Sequence, residues 1–266
     1  EPFLANYSTP GYLAPTHFLP APGGEEIDPS AAIMVAFNQP VVALGPGEGK
    51  GPQAFHITPP VPGEGEWINT STYMFSPETA LAGGVEYTVQ LNTEITSTAG
   101  APIPEGTRTS WTFRTLSPAL LSYEPESQAA HVPLDAEVKF TFNQAMDEES
   151  LSALLSLQDE EGELVRGRVE LSKNLKSAAF IPYSLLDRGE TYSVLLPGEV
   201  QAAGGTALGT DHTWQFKAVE ELGLLESSPD RGSSTTVHQG VILYFNSPLN
   251  LENIQDKITI EPEITN

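Results

Sequence analysis

Three asparagines at a regular spacing are the first residues in this sequence that could carry chemistry. They occupy the second position of three similar pentapeptides, FNQPV at 37–41, FNQAM at 142–146 and FNSPL at 245–249. Successive pentapeptides begin 105 and 103 residues apart. If the asparagine were a reactive or ligand-binding group, the chain would hold three equivalent sites. If the pentapeptide is a structural corner, it marks three copies of one domain.

The histidines do not form a recognisable metal site. Zinc sites in proteins use Cys, or His in close pairs such as H-E-x-x-H on a helix. The chain has no Cys, and its histidines are dispersed, at His17, His56, His131, His212 and His238. The lack of Cys also removes disulfides and Cys nucleophiles. We interpret each His as a surface or loop residue and predict no metal-binding residues.

The glycine-rich loop GPGEGKG at 45–51 departs from a phosphate-binding loop at two positions. Leu44 replaces the first Gly of G-x-x-x-x-G-K, and Gly51 replaces the Ser or Thr that would hold Mg²⁺. We therefore predict a flexible loop between strands. With no G-x-S-x-G motif either, we predict no catalytic and no cofactor-binding residues, and so not an enzyme. Paired carboxylates brought together by the fold stay open as an alternative.

The charge balance excludes one class of partner. The chain has 12 Lys and Arg against 35 Asp and Glu, for a net charge of −23. A nucleic-acid backbone repels such a surface, so we expect no nucleic-acid partner. The acidity favours solubility, and structural calcium is the alternative because Ca²⁺ prefers oxygen ligands. We interpret the DEEGE stretch at 159–163 as a hairpin turn with solvated charges, and we expect no cofactor.

Apolar residues recur at every second position in the segment that leads into each pentapeptide, which predicts a strand with one buried face. The inward-facing positions are Ile33, Val35 and Phe37, then Val138, Phe140 and Phe142, then Val241, Leu243 and Phe245. Each Phe is expected to plug the core at a strand end. Each following asparagine (Asn38, Asn143, Asn246) is expected to bond local backbone as the chain leaves the sheet, as Asn often does in turns.

A second repeated block has the spacing of a known structural corner. FSPETALAGGVEYTVQL at 75–91 and FIPYSLLDRGETYSVLL at 180–196 match at seven positions, each pair 105 residues apart. The shared L-x-x-G-x-x-Y resembles the tyrosine corner of immunoglobulin-like sandwiches, in which a Tyr hydroxyl bonds to upstream backbone. The alternative is that Tyr87 and Tyr192 are simply half-buried aromatic residues.

Two further patterns complete the set of elements. Trp-x-Phe occurs at Trp111 and again at Trp214, and it predicts a final core strand; the alternative is an aromatic platform for carbohydrate, to which Trp67 could contribute. Asp147 followed by acids and leucines predicts a short capped helix. LNLENIQDKI predicts a similar helix from Asn250.

These elements predict an all-β fold of tandem immunoglobulin-like β-sandwiches, each of about seven strands, with short helical turns only. The expected domains are 1–117, 118–219 and 220–266. The third copy ends before any counterpart of the Phe-Pro-Leu-Gly-Tyr block, and half a sandwich cannot bury its inner face. We therefore expect residues 220–266 to be the incomplete start of a third domain and the chain to be a fragment of a longer protein.

The motifs resemble those of bacterial Ig-like domains of the S-layer type over nearly the whole chain. GEWINTSTYMFSP at 65–77, PTHFLPAPG at 15–23 and the tandem order are also similar to the N-terminal region of bacterial alpha-2-macroglobulin-like proteins. That narrower resemblance implies a secreted or lipid-anchored envelope protein that traps proteases.

The resemblance transfers a scaffold role and no functional residue. The thioester motif of the family needs a Cys, which this chain lacks. The expected partners are other domains of the same longer chain and, through the full-length protein, proteases. We find no run near the ~20 apolar residues that a transmembrane helix needs. The alternative function is an adhesin or S-layer module that binds glycan or protein at the cell surface.

Overall fold

The structure is a computed structural model that describes residues 11–43, 51–230, 232, 240–246, 249 and 257–259. Within these residues it contains seventeen strands and one short α-helix, which confirms the all-β prediction. None of the helical structure described has the length and apolar character to cross a membrane. The glycine-rich loop at 45–51, apart from Gly51, lies outside the described residues.

The first domain is a two-layer sandwich of eight strands. Its strands are β1 (Pro15–Leu19), β2 (Gly24–Ile27), β3 (Ile33–Phe37), β4 (Phe55–Thr58), β5 (Gly63–Asn69), β6 (Thr72–Pro77), β7 (Glu86–Leu91) and β8 (Ser110–Thr115). One sheet has the order β1-β3-β6-β5 and the other β2-β8-β7-β4. All pairs are antiparallel except β2 with β8, which is parallel.

The second domain repeats this plan with seven strands. They are β9 (Leu120–Glu124), β10 (Val138–Phe142), β11 (Ser156–Gln158), β12 (Gly167–Leu171), β13 (Ser177–Pro182), β14 (Thr191–Leu196) and β15 (His212–Lys217). The sheets have the orders β12-β13-β10-β9 and β11-β14-β15. The counterpart of β2 is reduced to one parallel bridge between Val132 and Ala218.

Each domain has its own core, built by the predicted alternation. In β3 the buried positions are Ile33, Val35 and Phe37, and the positions between them are half-buried. In β10 the buried positions are Val138, Phe140 and Phe142. The two buried clusters share no residue, so each domain buries its apolar side chains independently.

The one helix lies where the sequence predicted it. Helix α1 (Glu148–Leu154) begins after Asp147, whose Oδ1 accepts a hydrogen bond from the Ser150 N–H at 2.7 Å. The two acids of the first turn favour the positive end of the helix dipole. Leu151 inserts into the core of the second domain, so the helix closes one end of the sandwich.

Both predicted tyrosine corners are present. The Tyr87 hydroxyl oxygen accepts a hydrogen bond from the Ala82 N–H at 3.0 Å. The Tyr192 hydroxyl does the same with the Asp187 N–H at 2.8 Å. The stretch at 159–163 also forms the predicted exposed hairpin turn, closed by the Asp159 carboxylate.

The described part of the third repeat is one antiparallel hairpin. It consists of β16 (Leu224–Ser228) and β17 (Ile242–Phe245). The prediction that Val241 is a core residue is wrong, since its side chain is exposed. Phe245, which we predicted to plug the core, is only half-buried. Within the described residues, no second sheet covers this hairpin. The helix predicted from Asn250 falls on residues outside the described set, except its last two.

Candidate functional site

Asn143 holds the segment that joins the two complete domains. Its Oδ1 accepts a hydrogen bond from the Ala119 N–H at 2.9 Å, and its Nδ2 donates to the Ser117 carbonyl at 2.8 Å. Its backbone N–H donates to the Ala119 carbonyl at 3.1 Å. Because β10 pairs with β9, the residue just beyond β10 faces the chain that is about to enter β9. We call this three-bond arrangement the asparagine clamp.

The asparagine clamp recurs in the other two repeats. Asn38 accepts from the Ala14 N–H at 2.8 Å and donates to the Tyr12 carbonyl at 3.1 Å. Asn246 bonds the segment that enters the third repeat at 2.8 Å on both sides of its amide. Our prediction of local partners is therefore wrong, because the partners lie 23 to 26 residues upstream. The asparagines bind the chain entering the domain and not the chain leaving the strand.

Gln144 extends the clamp into the preceding domain. Its side chain is buried, and its Nε2 donates to the Leu116 carbonyl at 3.2 Å. The Leu116 N–H donates to the Ile27 carbonyl at 2.9 Å, so Leu116 still belongs to the first domain. The linker between the domains thus has hydrogen bonds to protein at residues 116, 117 and 119. The linker is therefore tied to both domains by hydrogen bonds.

The two domains approach each other closely at two glycines. A Cβ added to Gly83 would stand 2.9 Å from the Gln144 Nε2. A Cβ added to Gly204 would overlap the Leu81 carbonyl oxygen. The Thr206 Oγ1 donates to the Gly83 carbonyl at 3.1 Å. Since packed atoms cannot overlap in this way, both positions need the missing side chain of glycine.

An ion pair lies on the same interface. The Lys176 Nζ is 2.9 Å from Oδ2 of Asp28. The other carboxylate oxygen of Asp28 accepts from the Ser30 hydroxyl at 2.6 Å and from the Ser30 N–H at 2.9 Å. These bonds from Ser30, with a further contribution from Lys176, lower the pKa of Asp28 to about 2 against the opposing effect of desolvation. Asp28 is therefore ionised at neutral pH.

We call the contacts of residues 28, 80–84 and 116 with residues 144, 176, 204 and 206 the first junction. The corresponding place after the second domain has different chemistry, and we call it the second junction. There Arg188 occupies the position of Gly83, and its Nη1 donates to the Glu220 carbonyl at 3.3 Å. The Lys217 Nζ lies 2.6 Å from Glu220 Oε1, which lowers the pKa of Glu220 and raises that of Lys217.

In the part of the chain that the structure describes, the residues considered for metal binding do not gather into a site. In the described part of the chain, no three or more His, Asp or Glu side chains are placed to share a metal ion. The His17 Nδ1 lies 3.3 Å from the neighbouring Thr16 hydroxyl, and His238 lies outside the described residues.

The tryptophans are core residues and not a carbohydrate platform. Trp67, Trp111 and Trp214 are 3%, 3% and 4% exposed, respectively. Trp214 donates its indole N–H to the Pro125 carbonyl at 3.0 Å, and its ring packs at a tilt against that of Tyr123, at a centroid distance of 4.1 Å. The interpretation of Trp-x-Phe as a core strand is confirmed, and the glycan alternative loses its three tryptophans.

The first junction was not predicted from the sequence, although one signal could have found it. The junction glycines sit where the aligned repeat has another residue, with Arg188 opposite Gly83 and Ala99 opposite Gly204. A glycine that occurs in only one copy of a repeat indicates a local need for close approach and not a general need of the fold. A comparison of the repeats could therefore have identified the glycines of this interface.

The match to one protein family fits the sandwich fold. The family described as bacterial Ig-like domain matches residues 14–115 and 116–218. No curated protein matches the chain. Among solved structures, native alpha-2-macroglobulin from E. coli is 20% identical, with a TM-score of 0.32, over 41% of this chain and 7% of that chain.

Two further solved structures are similar at the same level. The surface layer protein SbsC, domains 1–6, is 20% identical, with a TM-score of 0.30, over 41% of this chain and 15% of that chain. The LD transpeptidase LdtMt1 is 16% identical, with a TM-score of 0.29, over 40% of this chain and 41% of that chain. The chain thus spans less than two thirds of the length of each of these proteins.

Proposed function

Because the chain belongs to the bacterial Ig-like domain family, we propose that its two complete domains are non-catalytic spacers in a secreted or envelope-anchored alpha-2-macroglobulin-like protease inhibitor. The observation that carries the spacer role is the first junction. There the linker is hydrogen-bonded at residues 116, 117 and 119, backbone meets backbone at Gly204, and side chains of the second domain contact Gly83. Such a joint sets the distance and direction between whatever precedes and whatever follows the two domains.

Packing supports the spacer role over a catalytic one. Both cores are filled by side chains from the repeated motifs, and the Trp and Tyr residues of those motifs serve the sandwich itself. An active site needs titratable groups converging in a recess, whereas the repeated residues of this chain converge on backbone. The residues at equivalent positions in the two domains are therefore explained by folding.

The resemblance of 15–23 and 65–77 to the N-terminal region of alpha-2-macroglobulin-like proteins supports the inhibitor context. The chain supplies no Cys for a thioester, so capture of a protease would be the work of other domains. The strong negative charge suits a protein that must stay soluble and apart from nucleic acid and other acidic polymers. We place the protein outside the cell or on its surface.

A protease-trapping assay on the full-length protein tests this function. A trapped protease keeps activity toward a small chromogenic peptide and loses it toward a large protein substrate. We expect this split both with the full-length protein and with a version lacking residues 14–218, because a spacer takes no part in capture. Unchanged cleavage of the large substrate by protease mixed with the full-length protein would overturn the inhibitor role. Binding of isolated residues 11–230 to cell-wall polysaccharide would favour the adhesin alternative.

A further inference from the structure

The end of the second domain that lies away from the first domain carries exposed apolar side chains. The first domain has none at the equivalent positions. Tyr183 and Leu185 are each 66% exposed. They lie in the segment between β13 and β14, beside a groove of about 320 Å³ that also touches Leu134, Ile181 and Pro182. The residues at the equivalent positions of the first domain are Glu78 and Ala80. Large apolar side chains exposed together often indicate a contact surface.

The backbone of this end is the same in both domains, so the two ends can be compared directly. The Leu186 N–H donates to the Leu134 carbonyl at 2.8 Å, as the Leu81 N–H does to the Pro29 carbonyl at 2.8 Å. The tyrosine corner closes the same turn in both domains. In the first domain this end is covered by the second domain, and Gly83 is buried. In the second domain the equivalent Arg188 is exposed.

The chain leaves the second domain toward the same side. The asparagine clamp of Asn246 holds residues 221 and 223 as that of Asn143 holds residues 117 and 119. A following domain that starts at an equivalent clamp stands over the equivalent end of its predecessor. The exposed surface is therefore continuous with an interface of the kind already seen at the first junction.

We propose that Tyr183, Leu185 and the adjoining groove form the docking surface for the rest of the third Ig-like repeat. The occupant is the loop of that repeat equivalent to residues 202–206 of the second domain. This inference rests on the proposed spacer function and adds to it a second interface with a chemistry of its own.

The chemistry of the occupant follows from the surface. At the first junction, Gly204 packs against the Leu81 carbonyl, so the domains touch through backbone. At the second, the side chains of Tyr183 and Leu185 stand where the first domain has Glu78 and Ala80, so the same approach of bare backbone is blocked. The groove favours an apolar side chain from the opposing loop, in place of Gly204. The second interface is thus packed by side chains.

Hydroxyl-radical footprinting with mass spectrometry tests the docking surface on the full-length protein and on the 266-residue chain. Leu164 is the matched reference, because it belongs to the same domain and is 65% exposed. In the 266-residue chain, we expect Leu185 and Leu164 to oxidise at rates within about twofold, as their similar exposure requires. In the full-length protein, we expect oxidation of Leu185 to fall about fivefold or more relative to Leu164, because burial removes access.

Equal oxidation of Leu185 and Leu164 in the full-length protein would overturn the docking surface. A full-length sequence that lacks a third Leu-x2-Gly-x2-Tyr block after residue 266 would overturn it as well. Neither outcome depends on protease trapping. If the inhibitor role fails while Leu185 is protected, the docking surface stands as part of a spacer in another kind of protein.

Discussion

The two junctions share the asparagine clamp but differ in the residues around it. Both begin with an asparagine clamp on the entering chain. The first then brings glycine against backbone and adds a buried Gln144. The second has Arg188 at the position of Gly83 and surrounds the linker with charged side chains. The clamp therefore sets where the next domain begins, and the residues around it set how closely the next domain approaches.

The two ends of the first domain differ in a similar way. At the end that meets the second domain, Gly83 allows contact within 3.0 Å. At its other end, Ala99 stands at the position of Gly204 in the same turn, with the same hydrogen bond across it. The Cβ of Ala99 would prevent a preceding domain from packing as the first domain packs on Gly204. The first junction is thus a specific interface and not a property of every repeat.

Gly204→Ala should have the largest effect on the first junction. The added Cβ would overlap the Leu81 carbonyl, so the domains must move apart or distort. Overpacked contacts of this kind cost about 1–3 kcal/mol, and we expect that loss in the free energy that couples the two domains. We expect thermal unfolding of the variant to show two separate transitions, and that of the parent to show one. Small-angle scattering should report a broader distribution of interdomain distances.

Ala99→Gly is the matched control for that substitution. It makes the reverse change at the equivalent turn of the first domain, away from the junction. We expect the free energy of unfolding to fall by up to about 1 kcal/mol, because glycine adds backbone entropy to the unfolded chain, and we expect no change in interdomain distances. A Gly204→Ala variant that keeps the parental scattering profile would contradict the role assigned to the glycine.

The sequence was enough to predict the elements and not the interface. The strands, the Asp147 cap and both tyrosine corners depend on residues close together in the chain, and their spacing is regular. The partners of Asn143 lie 24 and 26 residues away, and Gly83 meets Thr206 across 123 residues. No periodic pattern encodes contacts at such separations. The exposed Val241 was missed for a related reason, since burial depends on a second sheet and not on alternation alone.

Asn143→Ala tests the asparagine clamp at the first junction. The change removes two side-chain hydrogen bonds and leaves the Ala119 N–H and the Ser117 carbonyl to find other partners. We expect the free energy of unfolding, measured by chemical denaturation, to fall by about 1–2 kcal/mol. Asn38→Ala is the matched comparison, and because Asn38 is exposed, water can replace its bonds more easily. An equal loss in both variants would contradict a special role for the clamp between domains.

The Asp28–Lys176 ion pair should contribute less than either of these features. Its side chains are partly exposed, and such pairs contribute about 0.2–1 kcal/mol. We expect Lys176→Ala to lower the coupling between domains by that amount. Because the Ser30 hydrogen bonds are the main cause of the low pKa of Asp28, an NMR titration of the variant should still give a value below 3.8.

The pH dependence of this carboxylate has a definite sign. The pKa of Asp28 is lowered in the folded state, so the stability that it adds is present above its ordinary pKa of 3.8 and is lost as the pH falls toward 2. We expect Asp28→Asn to flatten the stability profile of the protein in this range and to change little at pH 7 beyond the lost ion pair. A profile with the same slope in both proteins would show that Asp28 is not the group responsible.

The smallest expected effect is that of Arg188→Gly, which gives the second junction the residue of the first. The change removes a hydrogen bond to the Glu220 carbonyl and an ion pair with Glu221 at 3.7 Å. Exposed ion pairs contribute little to stability, so we expect the free energy of unfolding to fall by roughly a few tenths of a kcal/mol. The backbone entropy of the added glycine is part of this loss. The surface around Tyr183 and Leu185 is unchanged, so its protection in the full-length protein should persist. If Arg188→Gly instead exposed Leu185 to oxidation, Arg188 rather than the apolar pair would hold the third repeat in place.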